Sequence, residues 1–287
     1  MQRLRRYPFL CRSALSLSLL TLALSSLTSA CGPKQGEGLV AQSPERQSDA
    51  EYNVALDDFS RGNSREALDH IRKAIELNDS NDRALYLAAG IHLSFCATVR
   101  GFASPDCNLA EAERYARLAL KANDSYRDAR NMLGQILINE KKYGEAIAVL
   151  TPLTQDPAYA NPHLAWGNLG WAQVESGQLD AGIASLKNAV TNPRFCVGEY
   201  HLGMAYEKKG DLPSAEASLT IALSVEDPAC KGLQEAWEER ARVRMRLGKT
   251  TDAESDFEKC RDIAAESVAG KECASALGGA KPPAPTP

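Results

Sequence analysis

The residues of this 287-residue chain with types suited to chemistry are eight Cys, four His, the neighbouring carboxylates Asp57 and Asp58, and a Gly248-Lys249-Thr250 run. Each fails the spacing that a reaction would need. His70, His92, His163 and His201 lie far apart in sequence, and none sits in an H-E-x-x-H pair that would put two imidazoles on one helix face. No G-x-S-x-G elbow is present to raise a serine nucleophile. The Gly-Lys-Thr run resembles the end of a phosphate-binding loop, but the glycine required five residues earlier is Val243. Asp57 and Asp58 are adjacent, so on a helix they point roughly 100° apart and cannot work as a facing acid–base pair. No C-x2-C pair or clustered His accompanies the Cys residues, which speaks against zinc. The expectation is a binding protein: no enzyme, no metal and no cofactor.

The elements that position these residues recur. A small residue opens an A-x3-hydrophobic-x2-A pattern at Ala67, Ala112, Ala146, Gly182, Ala215 and Ala253, with spacings of 45, 34, 36, 33 and 38. The period and the residues resemble the tetratricopeptide repeat, or TPR. Trp166-x2-Leu169-Gly170 matches its W-x2-L-G signature, and Leu202-Gly203-x2-Tyr206 leads into Ala215, Leu219 and Ala222. Abundant Ala and Leu with 6% aromatics also favour helix over an all-β fold. The predicted fold is an all-α superhelical solenoid of six helical hairpins with a C-terminal cap, spanning residues 48–277. Small residues at the eighth and twentieth positions let paired helices approach. Gly62, Gly177, Gly210 and Gly248 fall at the turns between them. The second repeat carries about eleven extra residues between its helices, around CATVRGFASPDC.

This register organises the cysteines. With Cys11 in the leader and Cys31 set aside, Cys96, Cys107, Cys196, Cys230, Cys260 and Cys273 remain. An even number in an exported chain implies disulfides. Cys96 and Cys107 bracket the insertion. Cys196 begins the first helix of repeat five, and Cys230 follows its second helix, which returns to the same end. Cys260 closes the second helix of repeat six, and Cys273 lies in the cap. Three sequential bridges are expected. Buried free thiols are the other reading, since Cys260 stands where a small Ala is usual.

In TPR solenoids the first helices line the concave face, chiefly through positions two, five, nine and twelve. Tyr52, Leu56 and Phe59 take such places in repeat one, and Tyr86 and Leu93 in repeat two. A second set, Trp171, Val174, Tyr200 and Met204, falls in repeats four and five. Asn131, Gln135 and Asn139 make repeat three polar between them. A partner groove for an apolar peptide is one reading of the first set. Packing against a neighbouring helix or the N-terminal tether is the other.

The termini carry an address. Residues 1–12 hold four Arg, residues 13–30 are uncharged and largely apolar, and the run ends Leu27-Thr28-Ser29-Ala30-Cys31. It resembles a bacterial lipoprotein lipobox, with Thr28 where Leu is commoner. That resemblance implies a signal peptide over 1–30 and lipid on Cys31. An ordinary signal peptide with Cys31 in a disulfide is the alternative. Gly32 in place of Asp implies, by analogy with lipoprotein sorting, the outer membrane. Residues 31–47 read as lipidated Cys and flexible tether, and 278–287 as a Pro-rich disordered tail. Without the leader the chain holds 29 basic and 37 acidic residues, which argues against nucleic acid as a partner. No later run approaches the length of an uncharged apolar span, so a polytopic membrane protein is not expected.

Lipobox, tether and six repeats together resemble the type IV pilus pilotin family, the PilF/PilW/Tgl group. The stretch Asn161-Pro162-His163-Leu164-Ala165-Trp166-Gly167-Asn168-Leu169-Gly170 resembles that family's fourth repeat, and the later cysteines resemble the Tgl branch. The resemblance implies a non-catalytic job: acyl chains hold the protein at the inner leaflet of the outer membrane, and the groove binds the pilus secretin subunit and promotes its multimer assembly, supporting pilus biogenesis and motility. The other class considered is a periplasmic TPR adaptor that scaffolds peptidoglycan or outer-membrane assembly enzymes.

Overall fold

A computed structural model describes residues 43–96 and 105–279. The signal segment, Cys31 and the residues up to 42, the insertion tip at 97–104 and the tail from 280 lie outside the described residues.

Six antiparallel hairpins follow one another. They are α1 (Pro44–Ser60) with α2 (Ser64–Leu77), α3 (Asp82–Cys96) with α4 (Leu109–Ala122), and α5 (Arg127–Asn139) with α6 (Tyr143–Thr154). Then come α7 (Pro162–Glu175) with α8 (Leu179–Ala189), α9 (Cys196–Lys209) with α10 (Leu212–Ser224), and α12 (Gln234–Arg246) with α13 (Thr250–Ile263). One turn of helix, α11 (Pro228–Lys231), separates repeats five and six, and α14 (Val268–Gly279) caps the end. The 38-residue spacing before Ala253 thus takes the form of α11, opened by Asp227, whose side chain accepts from the Ala229 amide. No helix among the described residues is long and apolar enough to cross a membrane.

Two boundaries differ from the compositional reading. The chain is already helical at Pro44, four residues before the expected end of the tether. Ser43 caps the helix by accepting from the Arg46 amide, and proline suits a first helical turn because its missing N–H is not needed there. At the other end α14 takes in Gly278 and Gly279, assigned above to the tail.

The repeat anchors do what their size requires. Ala67, Ala112, Ala146, Ala215 and Ala253 are wholly buried. The partners at the eighth position are Ala55, Ala89, Gly134, Gly170, Gly203 and Ala241. Repeat four is tightest: a Cβ on Gly182 would lie 2.9 Å from the Gly170 carbonyl oxygen and 2.5 Å from Val174 Cγ2. The intra-repeat turns use left-handed backbone at Gly62, Gly177, Gly210 and Gly248. In repeat three Lys141 takes it instead, at φ 60°, which is costly for a side chain with a Cβ.

Core packing is continuous from hairpin to hairpin, as a solenoid needs because no hairpin covers its own apolar face. Two polar pins add to it. Near the start, Ser48 donates to the Ala74 carbonyl (2.7 Å), and Asn81 donates to Ser48 (2.9 Å). Near the end, Asp256 accepts from Arg240 at 2.9 and 2.7 Å and from Arg244 at 2.8 Å, all but hidden from solvent.

The structure joins Cys96 to Cys107, Cys196 to Cys230 and Cys260 to Cys273. The first closes the insertion at the end of α3. The second ties the start of α9 to α11. The third ties α13 to the cap.

Candidate partner-binding face

The first helices form one layer: α1 touches α3, α3 touches α5, and so on through α7, α9 and α12, while successive second helices make at most marginal contact. The first helices therefore define the inner face of the solenoid, and the residues they present there are the candidates for recognition.

In repeats one and two the candidates are mixed in exposure. Leu56 is open, at 44%. Tyr52 is half-buried beneath Arg83, whose guanidinium carbon stands 4.9 Å from the ring centroid and whose Nη2 donates to Asp49 at 2.7 Å. Phe59 packs on the core of Ala55 and Ile71, and Leu93 packs on the core shared with repeat three. Tyr86 meets Tyr126, a residue that the sequence did not single out, at a tilt, with centroids 5.0 Å and planes 40° apart. Burial, with Asp128 and Tyr52 near, holds the Tyr86 hydroxyl above its ordinary pKa. The structure thus gathers Tyr52, Tyr86 and Tyr126, leaves Leu56 open, and packs the half-buried Phe59 and Leu93 against the core. In repeat three Asn131 accepts from Asn168 at 3.1 Å, while Asn139 turns back onto the Gln135 carbonyl.

In repeats four and five Trp171 lies flat on His201, with centroids 4.5 Å apart and planes 10° apart. Lys208 reaches 5.2 Å from the indole centroid and donates to Glu175. Burial under the indole pushes the His201 imidazole down to about 4. Tyr200 and Met204 are half-buried beside it. Val174, expected on this face, is 4% exposed and packs with Ile183, Leu186 and Leu202. The cause is the close approach at Gly170 and Gly182, which draws α8 over it. Val197 and Met245 stand open on α9 and α12. The positional rule names both, as position two of repeat five and position twelve of repeat six, although the reading above passed them over.

The remaining chemistry-bearing residues do not converge. His70 bonds Glu51 at 2.6 Å, His92 stacks on Tyr115, and His163 meets Phe195 edge-on. Asp57 pairs with Arg61 and Asp58 faces His70. Lys249 is held by Glu216 in the turn of repeat six. Glu238, Cys260 and Cys273 lie near enough to share a metal ion, yet both sulfurs are spent in a disulfide and offer no thiolate.

The tetratricopeptide repeat family model matches residues 108–161 and 200–267. The fold is a TPR solenoid. No curated protein sequence matches significantly. Among solved structures, PilW, described as a widely conserved type IV pilus biogenesis factor, superposes with a TM-score of 0.65 at 19% identity, covering 78% of this chain and 97% of PilW. PilF of Pseudomonas aeruginosa gives 0.62 at 17% identity, covering 82% of this chain and all of PilF. The Cut9–Hcn1 hetero-tetramer of the APC/C gives 0.66 at 14% identity, but this chain spans only 44% of that partner chain. At such identities the likeness is one of fold.

Proposed function

We propose that the protein is an outer-membrane lipoprotein of type IV pilus biogenesis, anchored through acyl chains on Cys31, whose solenoid binds the secretin subunit and promotes its multimer assembly. The observation that carries this reading is extent: PilW and PilF are matched over 97% and 100% of their lengths by 78% and 82% of this chain. The lipobox-like run before Cys31 supports it independently. The mechanism is non-catalytic. An acyl anchor confines the protein to a leaflet, and confinement raises the effective concentration of a bound subunit where the ring must close. Leu56, flanked by Tyr52 and Tyr86, is the open apolar point of the amino-terminal inner face and the proposed secretin contact, with Phe59 supporting it from behind.

The test is an immunoblot of secretin from unboiled membranes of a deletion strain. Loss of SDS-resistant multimers with monomer retained, restored by the lipidated protein, is the expected result; multimers that form normally sink the reading. In the same strain, Leu56→Asp, at an open side chain, is expected to leave a folded protein that no longer restores multimers. A Cys31→Ser variant is expected to lose the membrane fraction.

A further inference from the structure

The inner face of repeats four to six joins an apolar shelf to an excess of carboxylates. The shelf is Trp171, Val197, Tyr200, Met204 and Met245, contributed by α7, α9 and α12; Val197 and Met245 are 40% and 42% exposed. Glu235, Glu238 and Glu239 stand within electrostatic reach of Tyr200, Glu207 lies against Glu239, Glu175 holds the Lys208 that covers Trp171, and Glu272 lies against Glu238. The bases in the same region are already engaged. Lys208 holds Glu175, Arg246 holds Glu207 at 2.6 Å, and the Nη2 of Arg242 is shared between Glu238 and Glu272. No ion pair among the described residues reaches Glu235 or Glu239. Glu239 lies within hydrogen-bonding reach of Glu207. Burial and then that neighbour push the Glu239 carboxyl up to about 8, so Glu239 keeps its proton at neutral pH. A cation placed between them would take over the proton's task.

An apolar shelf flanked by six acidic side chains and three bases, with Glu235 and Glu239 left without a basic partner, fits one chemistry of ligand: apolar anchors with positive charge beside them. We propose that repeats four to six dock a segment of another protein that carries Lys or Arg next to a large aliphatic or aromatic side chain. The apolar group lies against Trp171 and Met204, and the base enters between Glu207 and Glu239. This inference stands apart from the secretin reading, which uses repeats one and two.

The test titrates a fluorescein-labelled peptide of alternating Lys and Leu with the purified full-length protein, followed by anisotropy. Saturable binding is expected, weakened about tenfold by Glu207→Gln with Glu239→Gln and by Trp171→Ala. A Glu–Leu peptide of equal length is expected not to bind. Two variants control for bulk charge and place. Glu226→Gln with Glu258→Gln removes at least as much charge outside this face, and Leu56→Asp alters the other half; neither is expected to change the affinity. Glu235→Gln, at an exposed side chain without an ion-pair partner, keeps the test decisive if the double variant fails to fold, and is expected to weaken binding with an unchanged melt. Equal weakening by both Glu pairs, or loss of binding only in Leu56→Asp, overturns the proposal, as does an Lys–Leu peptide that does not bind.

Discussion

The two halves of the solenoid are built from the same hairpin and held by different forces. Repeats one to three rest chiefly on apolar contact: Ala, Ile and Leu fill the interior, the pin at Ser48 and Asn81 adds a bond to Asp49, and the ion pairs of Glu113 and Glu140 with Arg117 and Lys142 use bases that stay open to solvent. Repeats five and six carry a buried ionic network from Glu216 through Arg244 to Asp256 and Arg240, and two of the three disulfides. Their inner faces diverge in step: tyrosines and amides in the first half, an indole–methionine shelf among carboxylates in the second. A repeat fold fixes where small residues must sit and leaves the rest of each helix free to specialise.

The largest effect is expected at Asp256. It is 2% exposed and accepts from both Arg240 and Arg244, so Asp256→Ala strands the buried Arg240 guanidinium, whose one carboxylate partner among the described residues it is, while Arg244 keeps Glu216. A loss of about 3–5 kcal/mol is expected, read from urea unfolding, because a buried charge is left uncompensated. A loss under about 1 kcal/mol would erase the contrast between the halves, since that is the worth of a surface pair.

Next comes the cap. Cys260→Ser with Cys273→Ser opens the bridge between α13 and α14 and is expected to cost about 2–4 kcal/mol. Hydrogen exchange would place the loss: faster exchange confined to α12–α14 is expected, with α1 and α2 unchanged. Uniform acceleration would mean that the halves are not separable.

The smallest effect tests the carboxylate pair. The Glu239 carboxyl is raised from the ordinary Glu range to about 8, so the fold keeps a proton that the unfolded chain gives up above about pH 4.5. Stability from this group is present in full below that pH and is lost as pH rises through 8. Glu239→Gln keeps the neutral form at every pH. Melting curves of variant and parent are therefore expected to agree near pH 5 and to separate at pH 9, with the variant higher. A gap that is the same at both values would contradict the assignment.

Much of the fold was legible because close helix approach tolerates only small side chains. The anchor series from Ala67 to Ala253 and the turn glycines follow from that constraint and from left-handed backbone. Lys141 escaped it, since nothing in its type marks a positive φ. The inner face was legible only in part. Position within a helix names the face, but neighbours decide depth: Val174 sank because two glycines bring α8 onto it, whereas Met245 stayed open near the last turn of α12. The ionic network was not legible at all. Arg240 and Asp256 stand 16 residues apart on two helices, a separation that no single-helix period singles out.

In a stack where each hairpin touches only its neighbours, order is lost from the ends inward. The carboxyl-terminal end is doubly fastened, by Cys260–Cys273 across the cap and by Cys196–Cys230 behind it, while the bridge nearest the other end lies beyond the first hairpin, at Cys96–Cys107. Melting is thereby given a direction. The first hairpin is expected to open before its neighbours, which makes the face around Leu56 the more compliant end and the acidic shelf the firmer one.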